Sequence, residues 1–195
     1  MVDAVLAEAG IALSGLDGIA ASVGPGSFTG VRISVSVAQG LAFGATLPVI
    51  PVTTLEALAL AGLRHGTSRA LACLDARMGE VYWGCFAADA RRGVIALDAL
   101  RVGPPAEVRW PAPGTYRGIG AGFAAHPKLA ALAGLELDPG DAGALPEALH
   151  MARLGALRLS AGEGLDAAQL QPEYLRDKVA LTEAERAAGK HGANK

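Results

Sequence analysis

The sequence has little cysteine, few aromatic residues and no concentration of basic charge. Its two cysteines, Cys73 and Cys85, each lie within an apolar run. Their spacing fits neither a disulfide framework nor a metal site, so both are predicted to be buried thiols in a reducing compartment. The histidines show no metal-ligand spacing either, and no metal site is expected.

The charge balance excludes one function class. The chain carries 17 Lys and Arg against 19 Asp and Glu, a formal net charge of −2, and no segment collects the positive charges. A stand-alone nucleic-acid binder needs a basic face for the phosphates. The composition leaves room for a protein that meets RNA only through a partner.

Long hydrophobic runs are also lacking. No apolar stretch reaches the length of a membrane span, and the N-terminus has neither the basic start nor the apolar centre of a signal peptide. The sequence therefore predicts a cytoplasmic protein without a membrane segment. What it does contain is 51% hydrophobic against 18% charged residues over 195 positions, enough for one large or two small domains with real cores.

Periodicity predicts a mixed α/β fold. Helices are expected at 2–9, for about 15 residues after a glycine loop, at 53–62 and at 146–162, with a short helix at 127–133; strands are expected at 19–23, 47–52, 70–74, 81–87 and 94–102. Two halves, 1–67 and 68–195, fit this order better than one doubly wound sheet. "IAASVGPG" and "YRGIGAGF" are candidates for the same strand-to-glycine-loop element in each half. In the 146–162 helix, the predicted core stripe is Leu149, Ala152, Ala156 and Leu159.

The glycine loop, "GPGSFTG" at 24–30, invites a nucleotide-binding interpretation. Its glycine spacing matches neither the Walker A loop nor the dinucleotide fingerprint, and it contains no lysine. A sharp turn into a tightly packed helix is the favoured explanation, with Ser27 or Thr29 as N-cap. Arg32 in the first helical turn is unfavourable for the helix dipole, which suggests an acidic group on a partner.

The helix after this loop is expected to be covered on most sides. Val31, Val35, Ala38 and Ala42 mark one face, and Ile33 and Val37 mark another. Small residues also recur four apart, at Gly30, Ser34 and Ala38 and at Ser36, Gly40 and Gly44. Internal packing and a subunit interface both explain these rows. No catalytic set emerges from the remaining polar residues. Asp75 with Arg77 is predicted to be either a set of solvated turn charges or a local ion pair.

Four segments in order carry a family resemblance. "GPGSFTGVRIS" (24–34), "VTTLEALA" (52–59), "DARMGEVYWG" (75–84) and "PEYLRDKVA" (172–180) resemble the bacterial TsaB (YeaZ) family, part of the Gcp-like group. This resemblance implies a two-lobed fold of the actin and sugar-kinase superfamily (RNase H-like). Family members usually begin with an "I-L-A-I-D-T" strand and a β-hairpin. That opening, roughly 40 residues, is expected to be missing here, which leaves lobe one without its first strands.

The resemblance also implies a function. TsaB-like proteins are non-catalytic scaffolds that pair with the catalytic subunit TsaD and with the ATPase TsaE to place threonylcarbamoyl on the adenosine beside the tRNA anticodon. It implies no cofactor of the chain's own, indirect contact with tRNA, and a homodimer in the absence of partner. The residues that it assigns to the loop and partner interface are Gly24, Pro25, Gly26, Ser27, Phe28, Thr29, Gly30, Arg32, Ser34 and Ala38. The alternative is an ATP-dependent kinase-like or glycoprotease-like enzyme of the same superfamily.

Overall fold

A computed structural model describes residues 1–63 and 67–176. The helices and strands in chain order are α1 (Val2–Ala9), β1 (Ile19–Ser22), α2 (Phe28–Ala45), β2 (Val49–Val52), α3 (Thr54–Gly62), β3 (Arg69–Arg77), β4 (Glu80–Asp89), β5 (Gly93–Ala96), β6 (Arg101–Gly103), β7 (Tyr116–Ile119), α4 (Ala121–Ala125), β8 (Leu135–Glu136) and α5 (Ala148–Ser160). The mixed α/β prediction is confirmed. The predicted helix at 127–133 is a 3₁₀ turn over Pro127–Ala131.

The first sheet of the described residues pairs β1 with β2 in parallel, with Ile19 opposite Val49. Helix α2 packs on it through its predicted stripe, and Val35, Ala38 and Ala42 are buried there. The opposite face of α2 is exposed, with 58% of Ile33 and 49% of Val37 accessible. The expectation that α2 is covered on most sides is therefore wrong for the described residues, because these two side chains remain about half exposed.

The second sheet has the order β5-β4-β3-β7-β8 in the described residues, with β6 also paired to β4. Strands β3, β4 and β5 form the predicted antiparallel meander. The single strand expected at 94–102 is wrong, because Gly93–Ala96 and Arg101–Gly103 pair separately with β4. The chain turns between them at Asp98, whose carboxylate accepts hydrogen bonds from the Ala99 N–H and from Arg101.

Each sheet is covered by a helix from the other half of the chain. Helix α3 contacts β3, β4, β5 and β7, whereas α5 contacts β1 and β2. One core cluster consequently joins both halves, from Val52 and Leu58 to Phe86 and Leu154. The boundary between 67 and 68 lies between α3 and β3 in chain order and stays a prediction.

Helix α5 turns a different face inward from the predicted one. Leu154, Gly155 and Arg158 are its buried residues, while Leu149 is 53% exposed. The close approach of α5 to β1 explains the difference, because a Cβ at Gly155 would lie 2.6 Å from the Ala20 Cβ. Because glycine has no side chain, the two backbones can approach closely, and the face of α5 that contains Gly155 therefore faces β1.

Among the described residues, no helix is both long enough and apolar enough to cross a bilayer.

Candidate partner surface and cleft

The glycine loop enters α2 through a side-chain cap. Ser27 is the N-cap, and its Oγ accepts a hydrogen bond from the Gly30 N–H at 3.1 Å. Of the two predicted caps, Ser27 is confirmed. Gly24 has φ +111°, and a Cβ there would lie 2.9 Å from the Glu173 carbonyl oxygen. Glycine is required at this position for both reasons.

The loop is fixed to the start of α3. The Thr54 N–H donates to the Gly24 carbonyl oxygen at 2.8 Å, and the Thr54 hydroxyl donates to the Pro25 carbonyl oxygen at 2.5 Å. The preceding residue, Thr53, caps α3 in a reciprocal capping box with Glu56. Two hydrogen bonds therefore attach the loop to the start of α3.

A cleft of about 460 Å³ separates this loop from the second sheet. Its walls include Pro25 and Phe28 of the loop, Asp75 and Ala76 at the end of β3, and the extended segment 173–176. Thr54 of the second resemblance segment also contributes. The first three segments that carried the family resemblance thus meet residues 173–176 of the fourth around one cleft, although they lie far apart in the sequence. Residues 177–180 of the fourth segment lie outside the described residues.

The turn between β3 and β4 carries the charges on the far wall. Arg77 lies 3.4 Å from the Asp75 carboxylate and is 88% exposed, which confirms the predicted local ion pair. Glu80 forms an ion pair with Arg176, and the Arg176 guanidinium also donates to the Ala76 carbonyl oxygen at 3.2 Å. Arg176 and Tyr174 were not assigned a role from the sequence, although the last resemblance segment contains both.

Glu173 carries an unfavourable charge on the cleft wall. Desolvation by burial, and then the nearby Glu56 carboxylate, raise the pKa of the Glu173 carboxyl above its usual range. A raised folded-state pKa means that the folded protein binds the proton more tightly than the unfolded chain. Stability is therefore lost as the pH rises above the unfolded pKa.

We expect Glu173→Gln to raise the melting temperature at neutral pH, because the amide removes a partly desolvated charge. The gain should shrink as the pH falls through the raised folded-state pKa and be lost below about 4.5, where the carboxyl is protonated in both states. Thermal unfolding at a series of pH values measures it. Glu163→Gln, in the exposed pair with Arg92, is the control; an equal effect of both variants would contradict the assignment to Glu173.

The exposed face of α2 adjoins the cleft. Phe28, Ile33, Val37 and Phe43 are exposed on it, with 84% of Phe43 accessible. Arg32 is the single charged residue in α2, and its guanidinium carbon lies 3.3 Å from the centre of the Phe28 ring. We call these four apolar residues and Arg32 the α2 face.

The residues assigned to the loop and interface divide by exposure. Gly26, Ser27, Phe28, Thr29, Gly30 and Arg32 are exposed, Ser34 is half-buried, and Gly24, Pro25 and Ala38 are buried. Ala38 packs in the core of its own sheet. The other small-residue row does face outward: nothing lies within 4 Å of a Cβ built at Gly40 or Gly44.

The two cysteines lie away from the α2 face. Both are free and buried, as predicted. Burial raises the pKa of each thiol to about 12, with a smaller contribution from Asp75 at Cys73 and from Asp98 at Cys85. Within residues 1–63 and 67–176, no three His, Cys, Asp or Glu side chains are grouped as they would be to hold a metal ion.

Comparison with known proteins identifies the family. The chain is 38% identical to the tRNA threonylcarbamoyladenosine biosynthesis protein TsaB of Escherichia coli over 184 residues, which are 92% of this chain and 79% of that protein. It is 35% identical to TsaB of Haemophilus influenzae over 191 residues, 92% of this chain and 78% of that protein. The chain belongs to the TsaB family.

Other comparisons agree with this family assignment. A family model described as TsaD, tRNA N6-adenosine threonylcarbamoyltransferase, matches residues 1–99. The solved structure of YeaZ from Pseudomonas aeruginosa matches with a TM-score of 0.80 at 40% identity, covering 90% of this chain and 82% of that one. A second structure, described as an uncharacterized protein with similarity to peptidase YEAZ from P. aeruginosa, has a TM-score of 0.81 at 39% identity, covering 90% of this chain and 81% of that one. Together with the mixed α/β architecture of the chain, these matches fit an actin-like fold.

Proposed function

We propose that this TsaB-family chain is a non-catalytic subunit in tRNA threonylcarbamoyladenosine biosynthesis, and that it acts by pairing with a TsaD-type transferase through the α2 face. The names of the relatives support the pathway. The observation that carries the pairing is the α2 face itself: four large apolar side chains exposed beside one charge on an 18-residue helix.

Physical chemistry favours a helix as the partner of this face. Apolar residues that repeat along an exposed helix are typical of a protein interface. Gly40 and Gly44, with open space in place of side chains, allow a second helix to approach closely. In the absence of the transferase, the same face is expected to bind a second copy of the chain.

As a subunit of this kind, the chain has further partners. A TsaE-like ATPase joins the pair, tRNA is contacted through the partners, and the complex works in the cytoplasm. The chain contributes no cofactor of its own.

We expect Arg32→Glu to weaken binding of the transferase subunit about ten-fold, the loss typical of an interface arginine. The substitution reverses the charge opposite the acidic partner group that we infer, and it removes the cation from the Phe28 ring. A glutamate in the first turn suits the helix dipole, so the fold should tolerate it. Titration calorimetry measures the affinity, and the melting temperature reports the fold.

Arg153→Glu, at an exposed position of α5, is the matched control and should leave the affinity unchanged. Val37→Asp tests the apolar part of the α2 face and should weaken binding at least as much. Unchanged affinity in both α2 variants would contradict the surface. tRNA modification by the chain alone, or micromolar binding of Mg-ATP, would instead support the kinase-like or glycoprotease-like enzyme.

A further inference from the structure

The extended segment 170–176, which we call the strap, follows the 3₁₀ turn Ala167–Gln169 and runs past the cleft. Its first residue, Leu170, is fully buried in the core of the first sheet. The Gln39 side-chain amide of α2 donates to the Leu170 carbonyl oxygen at 3.0 Å. The strap therefore begins at a fixed point.

The middle of the strap is held to the residue that precedes the glycine loop and to the α2 face. The Glu173 N–H donates to the Val23 carbonyl oxygen at 2.8 Å. The Tyr174 ring lies 6.1 Å from the Phe28 ring, centre to centre, and 5.6 Å from the Arg32 guanidinium carbon. Tyr174 is 48% exposed, so it extends the α2 face with a side chain that belongs to the strap.

Its end is held to the opposite wall. Arg176 donates to the Ala76 carbonyl oxygen, pairs with Glu80 and lies 5.9 Å from the centre of the Tyr82 ring. Only 22% of the Arg176 side chain and 34% of the Glu80 side chain are exposed. Partial burial makes this contact less sensitive to screening than an ordinary surface pair.

The attachment of Tyr174 to the α2 face and that of Arg176 to the opposite wall lie very close together along the chain. Tyr174 and Arg176 are two residues apart, so their Cα atoms can separate by about 7 Å at most. While both attachments hold, the α2 face and the β3–β4 turn cannot move apart. A short extended segment with few anchoring contacts belongs to the least stable parts of a fold, so it can open without global unfolding.

We propose that the strap couples the cleft to the α2 face: when Arg176 leaves Glu80, the cleft opens and Tyr174 leaves the partner surface. The coupling to a partner rests on the proposed function, whereas the tie across the cleft does not. By linkage, a partner that contacts Tyr174 must also strengthen the Arg176 attachment.

Hydrogen exchange of the whole chain, followed by mass spectrometry, tests the tie. We expect Arg176→Gln to speed exchange of the Glu173 amide about ten-fold, the effect of losing one charge-assisted hydrogen bond. Glu80→Gln should have the same effect, and the double variant should be no worse than either single one, because both remove one attachment. Arg77→Gln removes a positive charge from an 88% exposed side chain on the opposite wall of the cleft, and it should leave Glu173 exchange unchanged.

The transferase subunit tests the coupling. Its binding should slow Glu173 exchange in the unaltered chain and slow it less in Arg176→Gln, which should also bind about ten-fold more weakly. Unchanged Glu173 exchange in Arg176→Gln and Glu80→Gln would contradict the attachment of the strap across the cleft. An equal rise in the exchange rate of a core strand such as β3 would contradict it too. Faster exchange with unchanged affinity would overturn the coupling. Absence of transferase binding by the unaltered chain would count against the proposed function. Glu173 exchange in the free protein would still show whether the Arg176–Glu80 contact holds the strap across the cleft.

Discussion

Gly120→Ala is expected to destabilise the protein by about 4 kcal/mol, since a strained backbone and a steric clash add together. Gly120 has φ +120° and ψ 161°, a region open to glycine alone. A Cβ there would also lie 2.1 Å from the Cys73 carbonyl oxygen, inside the central strand β3. The strand is paired on both sides and cannot move away cheaply. Urea unfolding measures the loss as a lower midpoint.

Gly79→Ala separates the two causes of this loss. Gly79 also has a positive φ, +77°, but nothing lies within 4 Å of a Cβ built there. We expect it to cost about 1 kcal/mol, the backbone term alone. Similar losses at Gly79 and Gly120 would show that β3 yields to the added methyl group.

The close packing at Gly120 explains the glycines of the segment "YRGIGAGF". Gly122, like Gly120, packs against Cys73, because its Cβ would lie 2.4 Å from the Cys73 sulfur. Both glycines therefore serve the close packing of α4 on β3. The resemblance of this segment to the loop at 24–30 does not require a bound phosphate.

Arg158→Met is expected to destabilise the protein by about 3 kcal/mol, the cost of leaving one partner of a buried ion pair alone. Arg158 is 4% exposed, and its guanidinium lies 2.5 Å from a Glu56 carboxylate oxygen. It also donates to the Pro51 carbonyl oxygen at 3.0 Å. One side chain of α5 thereby joins the start of α3 to the end of β2.

A double-mutant cycle tests this pair directly. Glu56→Gln should also be destabilising, and combining it with Arg158→Met should cost less than the sum of the two. Arg153→Met, five residues earlier at an exposed position of α5, should have little effect on the urea midpoint. Additive losses would mean that the two charges act independently.

Local signals in the sequence predicted local structure well. Ser27 as a cap and the stripe from Val31 to Ala42 depend on neighbours within one or two turns, and both are confirmed. Helix α1 and its end at Gly10 follow from the same short-range rules. Such features need no knowledge of the rest of the fold.

Contacts between distant segments could not be predicted in this way. The inward face of α5 depends on Gly155 meeting β1 and on Arg158 meeting Glu56. The apolar stripe predicted from periodicity is therefore wrong for three of its four residues, and only Leu159 packs against the core. The cleft is another case, because its walls come from segments as far apart in sequence as Pro25 and Arg176. The family resemblance identified those segments, but their spacing in the sequence does not show that they meet.

Each sheet is covered by a helix from the other half of the chain, and this arrangement has a consequence for synthesis on the ribosome. Strands β1 and β2 are finished by residue 52 and α2 already packs on them, but the second helix that packs on them, α5, begins at residue 148. For almost a hundred residues of translation, part of that sheet has no cover of its own. The N-terminal half is therefore expected to complete its folding only late in synthesis, when most of the chain has left the exit tunnel.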